Sequence, residues 1–86
     1  MKEFSCVITD ADGIHARPAG KLVSLAKSFA PADVMICKDG RCGRASRIFE
    51  VMGLGVKKGD LVTFTVEGEN EEDAADAIRK FMAENL

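Results

Sequence analysis

The chain has no tryptophan, no tyrosine and a single histidine among its 86 residues. One histidine excludes any site that needs two imidazoles, a His-rich zinc site included. The five phenylalanines are scattered, so there is no aromatic platform for stacking single-stranded bases. A basic surplus is also missing: 12 Lys and Arg stand against 14 Asp and Glu, a net charge of −2. Non-specific nucleic-acid affinity comes from excess cations, so no nucleic-acid partner is expected. Long apolar runs are absent as well. The longest is Val34 to Cys37, far short of a membrane span. The first residues contain no apolar stretch of signal-peptide length. The expectation is a soluble cytoplasmic protein with no membrane partner. Cysteine is scarce, and Cys6, Cys37 and Cys42 show no C-x-x-C spacing. An odd count in a short chain fits a reducing compartment better than a secreted disulfide framework.

What is present suffices for one small core. Leu, Ile, Val, Phe and Met together number 26, and residues 1–86 are read as one domain. A chain of this size buries only about 60–65% of its unfolded surface. Phe4, Cys6 and Ile8 alternate on one face of a first strand. Ala19, Leu22, Val23 and Ala26 form the stripe of a helix between Ala16 and Phe29. Pro31 breaks the chain before Val34–Lys38, and Asp39-Gly40 signals a two-residue hairpin turn. A short helical piece over Ile48–Met52 closes at Gly53 and Gly55. Val62, Phe64 and Val66 share one face of a last strand. Asn70 reads as the N-cap of a last helix whose first turn holds Glu71, Glu72 and Asp73. Its inner stripe is Ala74, Ile78, Phe81 and Met82. The order β-α-β-β-α-β-α predicts an α+β fold. Its four-stranded, mainly antiparallel sheet has helices on one face and water on the other.

The lone histidine stands in Gly13-Ile-His-Ala-Arg-Pro-Ala19, where turn meets helix. A helix start carries unpaired N–H groups and the positive end of the dipole. A neutral imidazole there offers a nitrogen lone pair as a nucleophile. A phosphoryl group accepted on His15 would lie near the N–H groups of Ala16 and Arg17, and the Arg17 guanidinium can grip phosphate oxygens. Pro18 suits a first helical turn but pushes Arg17 away from helical angles. Either Arg17 is strained or the regular helix begins at Pro18. A histidine before a helix is also commonly just a cap or an exposed polar residue.

The motif, the chain length, the Asp-Gly hairpin, Val51-Met-Gly-Leu-Gly55 and Lys58-Gly59 resemble HPr, the family of histidine-containing phosphocarriers of the bacterial sugar phosphotransferase system. The resemblance spans essentially the whole chain and implies an open-faced β-sandwich. It implies a carrier, not an enzyme, with no cofactor and no metal, expected to act as a monomer. Enzyme I would phosphorylate His15 on Nδ1, with Arg17 assisting, and the group would pass to the IIA component of a sugar permease. Docking would fall to Ala16, Arg17, Gly20, Ile48, Phe49 and Met52. Phe49 lies on a helix too short to bury all its apolar residues, so either it faces water or it is core. Arg44, Arg47, Lys21 and Lys27 would add a cationic patch that attracts acidic partner faces.

The chain departs from the family at the regulatory serine phosphorylated by HPr kinase/phosphorylase. That position holds Arg47, and Ser46 falls one residue early. Either Ser46 is still used or it is only a helix-cap serine, and the second reading is preferred. An HPr-type regulatory module and an unrelated interaction domain are the competing functions. A two-residue loop would place Cys37 directly across from Cys42, within reach of a disulfide. Two free thiols are the expected state, with a reversible bridge as the alternative. Cys6 is read as core.

Overall fold

A computed structural model describes residues 1–86. The elements are β1 (Lys2–Val7), α1 (Ala16–Ser28), β2 (Asp33–Lys38), β3 (Arg41–Arg44), α2 (Ile48–Gly53), β4 (Leu61–Glu67) and α3 (Glu71–Asn85). The strands form one sheet in the order β1-β4-β2-β3. Every neighbouring pair is antiparallel, with Phe4 opposite Phe64 and Ile36 opposite both Phe64 and Gly43. This is the open-faced α+β fold that the element order predicts.

Period-two alternation decides which face is covered. Val34, Ile36, Val62, Phe64 and Val66 are buried, and the Phe4 and Phe64 rings stack at 5.2 Å between centroids. Above them lie Ala19, Leu22, Val23 and Ala26 of α1, Val51 of α2, and Ala74, Ala75, Ile78 and Met82 of α3. Phe81 is half-buried and packs at the margin of this core, as does Cys6. Burial raises the Cys6 thiol above its usual range. The opposite face meets water. There Ser5 Oγ and Thr63 Oγ1 share a hydrogen bond of 2.8 Å, and Val7 and Leu61 pair in the open. No buried side-chain nitrogen or oxygen lacks a partner.

Several local expectations change. The α1 helix begins at Ala16, with His15 as N-cap and Ala19 N–H donating to His15 O at 2.9 Å. Arg17 is therefore inside the first turn, and Pro18 sits where an N–H has no intrahelical acceptor. Asn70 holds the cap position of α3, but its side chain makes no cap bond. Gly68 N–H instead donates to Glu71 Oε1 at 3.4 Å. Ser46 does not cap α2. The N-cap is Arg47, without a side-chain cap bond.

The hairpin forms as Asp39-Gly40 predicts, with φ of 51° and 80° at the two turn residues. Cys37 faces Cys42 across it, and the two are bonded as a disulfide with Cα atoms 4.0 Å apart. The free-thiol expectation is thus overturned: the register alone brings the two side chains together on the open face. Cys6 is the one free cysteine. The Ala30–Pro31 peptide in the turn before β2 is cis.

Candidate functional site

The loop between β1 and α1 is fixed from both sides. Gly13 has φ +66°, and a Cβ there would stand 2.3 Å from Val56 O. Only glycine permits this approach. Ile14 N–H then donates to Val56 O at 3.2 Å, and Ile14 is buried. On the other side, Asp10 N–H and Thr9 Oγ1 each donate to Leu86 O at 3.0 Å. His15 is delivered to the start of α1 by a loop clamped between two distant parts of the chain.

The His15 side chain is 42% exposed and makes no cap bond with its own helix. The N–H groups of Ala16 and Arg17 have no acceptor within the chain, and no acidic residue occupies the first turn. The positive end of α1 is therefore open to an anion beside the imidazole. A cleft of about 140 Å³ runs along this site, lined by Asp10, His15, Arg17, Pro18, Lys21 and Asn85. Arg17 and Lys21 make its wall cationic. Asp10 Oδ1 lies 3.8 Å from His15 Nε2 and accepts the Asp12 N–H at 2.8 Å. Asp10, Asp12 and His15 place possible metal-ligand atoms within 4.8 Å of one another, but the Asp10 carboxylate is already explained by the turn it closes.

The second helix is brought against the first. A Cβ added at Gly20 would stand 3.9 Å from Ile48 Cδ1, an ordinary packing contact. Phe49 is 87% exposed and Met52 40% exposed. This resolves the alternative at Phe49 in favour of water: the ring is exposed on α2, beside Val23 and Lys27 of α1. Arg17 and Ala16 are exposed, while Gly20 and Ile48 are half-buried between the helices. Among the cations, Arg47 Nε pairs with Glu50 at 3.6 Å, so it is partly neutralised. Asp10 and Asn85 are cleft residues that sequence reasoning missed. Asp10 belongs to the turn ahead of the histidine motif, and Asn85 reaches the site from the far end of the chain.

A half-exposed histidine at an open helix start, with cations beside it, defines a class: small α+β domains that present one imidazole at an anion-binding helix end. The family model for the PTS HPr component phosphorylation site matches residues 2–84. The phosphocarrier protein HPr of Mycoplasma genitalium is 38% identical over 85 residues, covering 99% of this chain and 97% of that one. The solved histidine-containing phosphocarrier protein of Mycoplasma superposes with a TM-score of 0.92 at 32% identity, covering 96% of this chain and 93% of that one. Phosphocarrier HPr of Bacillus anthracis gives 0.87 at 32% identity, covering 94% and 95%. The chain belongs to the HPr family of phosphotransferase-system phosphocarriers, which are carriers and not enzymes.

Proposed function

We propose that residues 1–86 form one carrier domain in which His15 accepts a phosphoryl group from phosphorylated enzyme I and passes it to the IIA component of a sugar permease. The observation that carries this reading is the open start of α1. A half-exposed imidazole, two unpaired N–H groups and a guanidinium converge there. The lone pair of the neutral ring forms the N–P bond as the bond from phosphorus to enzyme I breaks. Asp10 faces Nε2, which fits bond formation at Nδ1. The charge brought in by the phosphoryl oxygens is met by the Ala16 and Arg17 N–H groups and by the Arg17 side chain. This holds the group without trapping it, because the same nitrogen is also the leaving atom of the next transfer.

Phe49, Met52 and Ile48, with Ala16, Arg17 and Gly20, form the docking surface for both partners in turn. Lys21 and Lys27 add positive charge around it. No helix is long and apolar enough to cross a membrane, and the reading places the protein in the cytoplasm with its partners. Ser46 is half-buried one residue ahead of the α2 cap and takes no regulatory role here. HPr kinase with ATP should leave it unlabelled.

The test is a relay. Protein charged by phosphoenolpyruvate through enzyme I is purified and mixed with a IIA domain. Label should leave this chain and appear on IIA. Label that stays on this chain with every IIA domain tried contradicts the carrier role.

A further inference from the structure

The function just described leaves the Cys37–Cys42 pair unused. Cys42 is exposed and Cys37 half-buried. They lie on the water-facing side of the sheet, opposite the helices, five residues apart in sequence. Exposed disulfides are the ones open to thiol exchange. Arg44 stands two residues after Cys42 on the same open face of the hairpin, whereas Lys38 and Arg41 turn to the helix side, where Lys38 pairs with Asp60 at 2.9 Å.

The hairpin that carries the pair also holds α2. Arg44 N–H donates to Glu50 Oε1 at 3.0 Å, and Arg41 Nη2 donates to Leu54 O at 2.9 Å. Lys38 Nζ donates to Gly55 O at 2.9 Å. A Cβ at Gly43 would stand 3.0 Å from Glu50 Cβ, so β3 and α2 are in close contact there. Yet β3 is a short edge strand with β2 as its only neighbour. An edge strand of this kind frays readily. Apart from the Asp39-Gly40 turn, the disulfide is the one covalent tie between β3 and β2.

We propose that Cys37 and Cys42 are a redox-active modification site: a reversible dithiol–disulfide pair, oxidised by a small disulfide and reduced by thiols, that fixes or frees β3 and with it α2. In oxidation, the Cys42 thiolate attacks one sulfur of R–S–S–R, forming a mixed disulfide and releasing one thiolate. Cys37 then attacks Cys42 Sγ and releases the second. Two protein thiols lose two electrons and two protons, and one R–S–S–R becomes two RSH. In the reduced form β3 opens more often, and Arg41 and Gly43 leave α2 less firmly seated. Phe49 and Met52 are then presented by a looser helix. This last consequence rests on the docking surface proposed above, whereas the redox reaction and the loosening do not.

The experiment equilibrates the whole protein in glutathione buffers of varied ratio, then quenches, alkylates and weighs it. Free thiols should fall from three to one in a single two-electron step. Amide exchange in Arg41–Arg44 and Glu50–Gly55 should be about tenfold faster in the reduced form. Cys37→Ser with Cys42→Ser should match the reduced form in every buffer. One free thiol at all ratios, three at all ratios, or equal exchange in both forms would each overturn the proposal. His15 that stays unlabelled in both forms would instead refute the carrier reading and leave the redox pair standing.

Discussion

Gly13→Ala and Gly40→Ala share one backbone penalty and differ in one contact. Both residues have positive φ, +66° and +80°. An L side chain in that region costs about 1–2 kcal/mol, of which the stiffer unfolded chain returns about 0.4–1. At Gly40 a new Cβ meets nothing within 4 Å, so the net loss should be about 1 kcal/mol. At Gly13 the same Cβ falls 2.3 Å from Val56 O and 2.8 Å from Lys57 Cα, both backbone. A carbon–oxygen contact needs roughly 3.3 Å, so the loop must move by about 1 Å. Forced overpacking of this sort adds roughly 1–3 kcal/mol. Because the displacement occurs two residues before His15, phosphorylation by enzyme I should slow by about 100-fold. Urea unfolding measures the first effect, and initial rates of label uptake measure the second. Equal unfolding midpoints for the two variants, or a normal rate for Gly13→Ala, would refute the close approach as the device that positions His15.

Phe49→Ala should leave stability within about 0.5 kcal/mol, since the ring is exposed. It should weaken binding to enzyme I by about tenfold or more in calorimetry, as expected for an aromatic anchor. Arg17→Ala removes a charge-assisted contact, so transfer to IIA should fall by about 10- to 100-fold in stopped-flow measurements. Arg17→Lys should recover only part of this, because the ammonium lacks the planar fork. Asp60 is held below the usual carboxylate range, first by its bond from Lys38 and then by the Lys57 N–H. A carboxyl depressed on folding stabilises the native state above its unfolded value, and that gain is lost as pH falls through the folded value. The stability of the parent protein should therefore drop below about pH 4 more steeply than that of Asp60→Asn, which denaturation at stepped pH would show.

Local pattern made much of the fold legible. Alternation placed Val62, Phe64 and Val66 in the core, and the spacing of Ala19, Leu22, Val23 and Ala26 gave the buried stripe of α1. Asp39-Gly40 set the hairpin register, and that register is why Cys37 meets Cys42. Their bonded state was not legible, because compartment statistics pointed to thiols while pairing geometry permitted a bridge. Caps were less readable than helices. Asn70 and Ser46 have cap chemistry, yet Asn70 holds its cap position without a side-chain bond, and Ser46 lies one residue ahead of the α2 cap at Arg47. At the site, His15 and Arg17 lie in one short motif and could be read directly. Asp10 and Asn85 become neighbours of His15 only when α3 brings Leu86 onto the Thr9–Asp10 backbone. No sequence period encodes that closure.

The central claim is that His15 is the nitrogen nucleophile of a phosphoryl relay. Its most direct test is phosphorus NMR and peptide mapping of the protein after incubation with phosphoenolpyruvate and enzyme I. The predicted result is one acid-labile phosphoramidate on His15, with none formed in His15→Ala. Label on any other residue, or label that survives the substitution, would contradict the account.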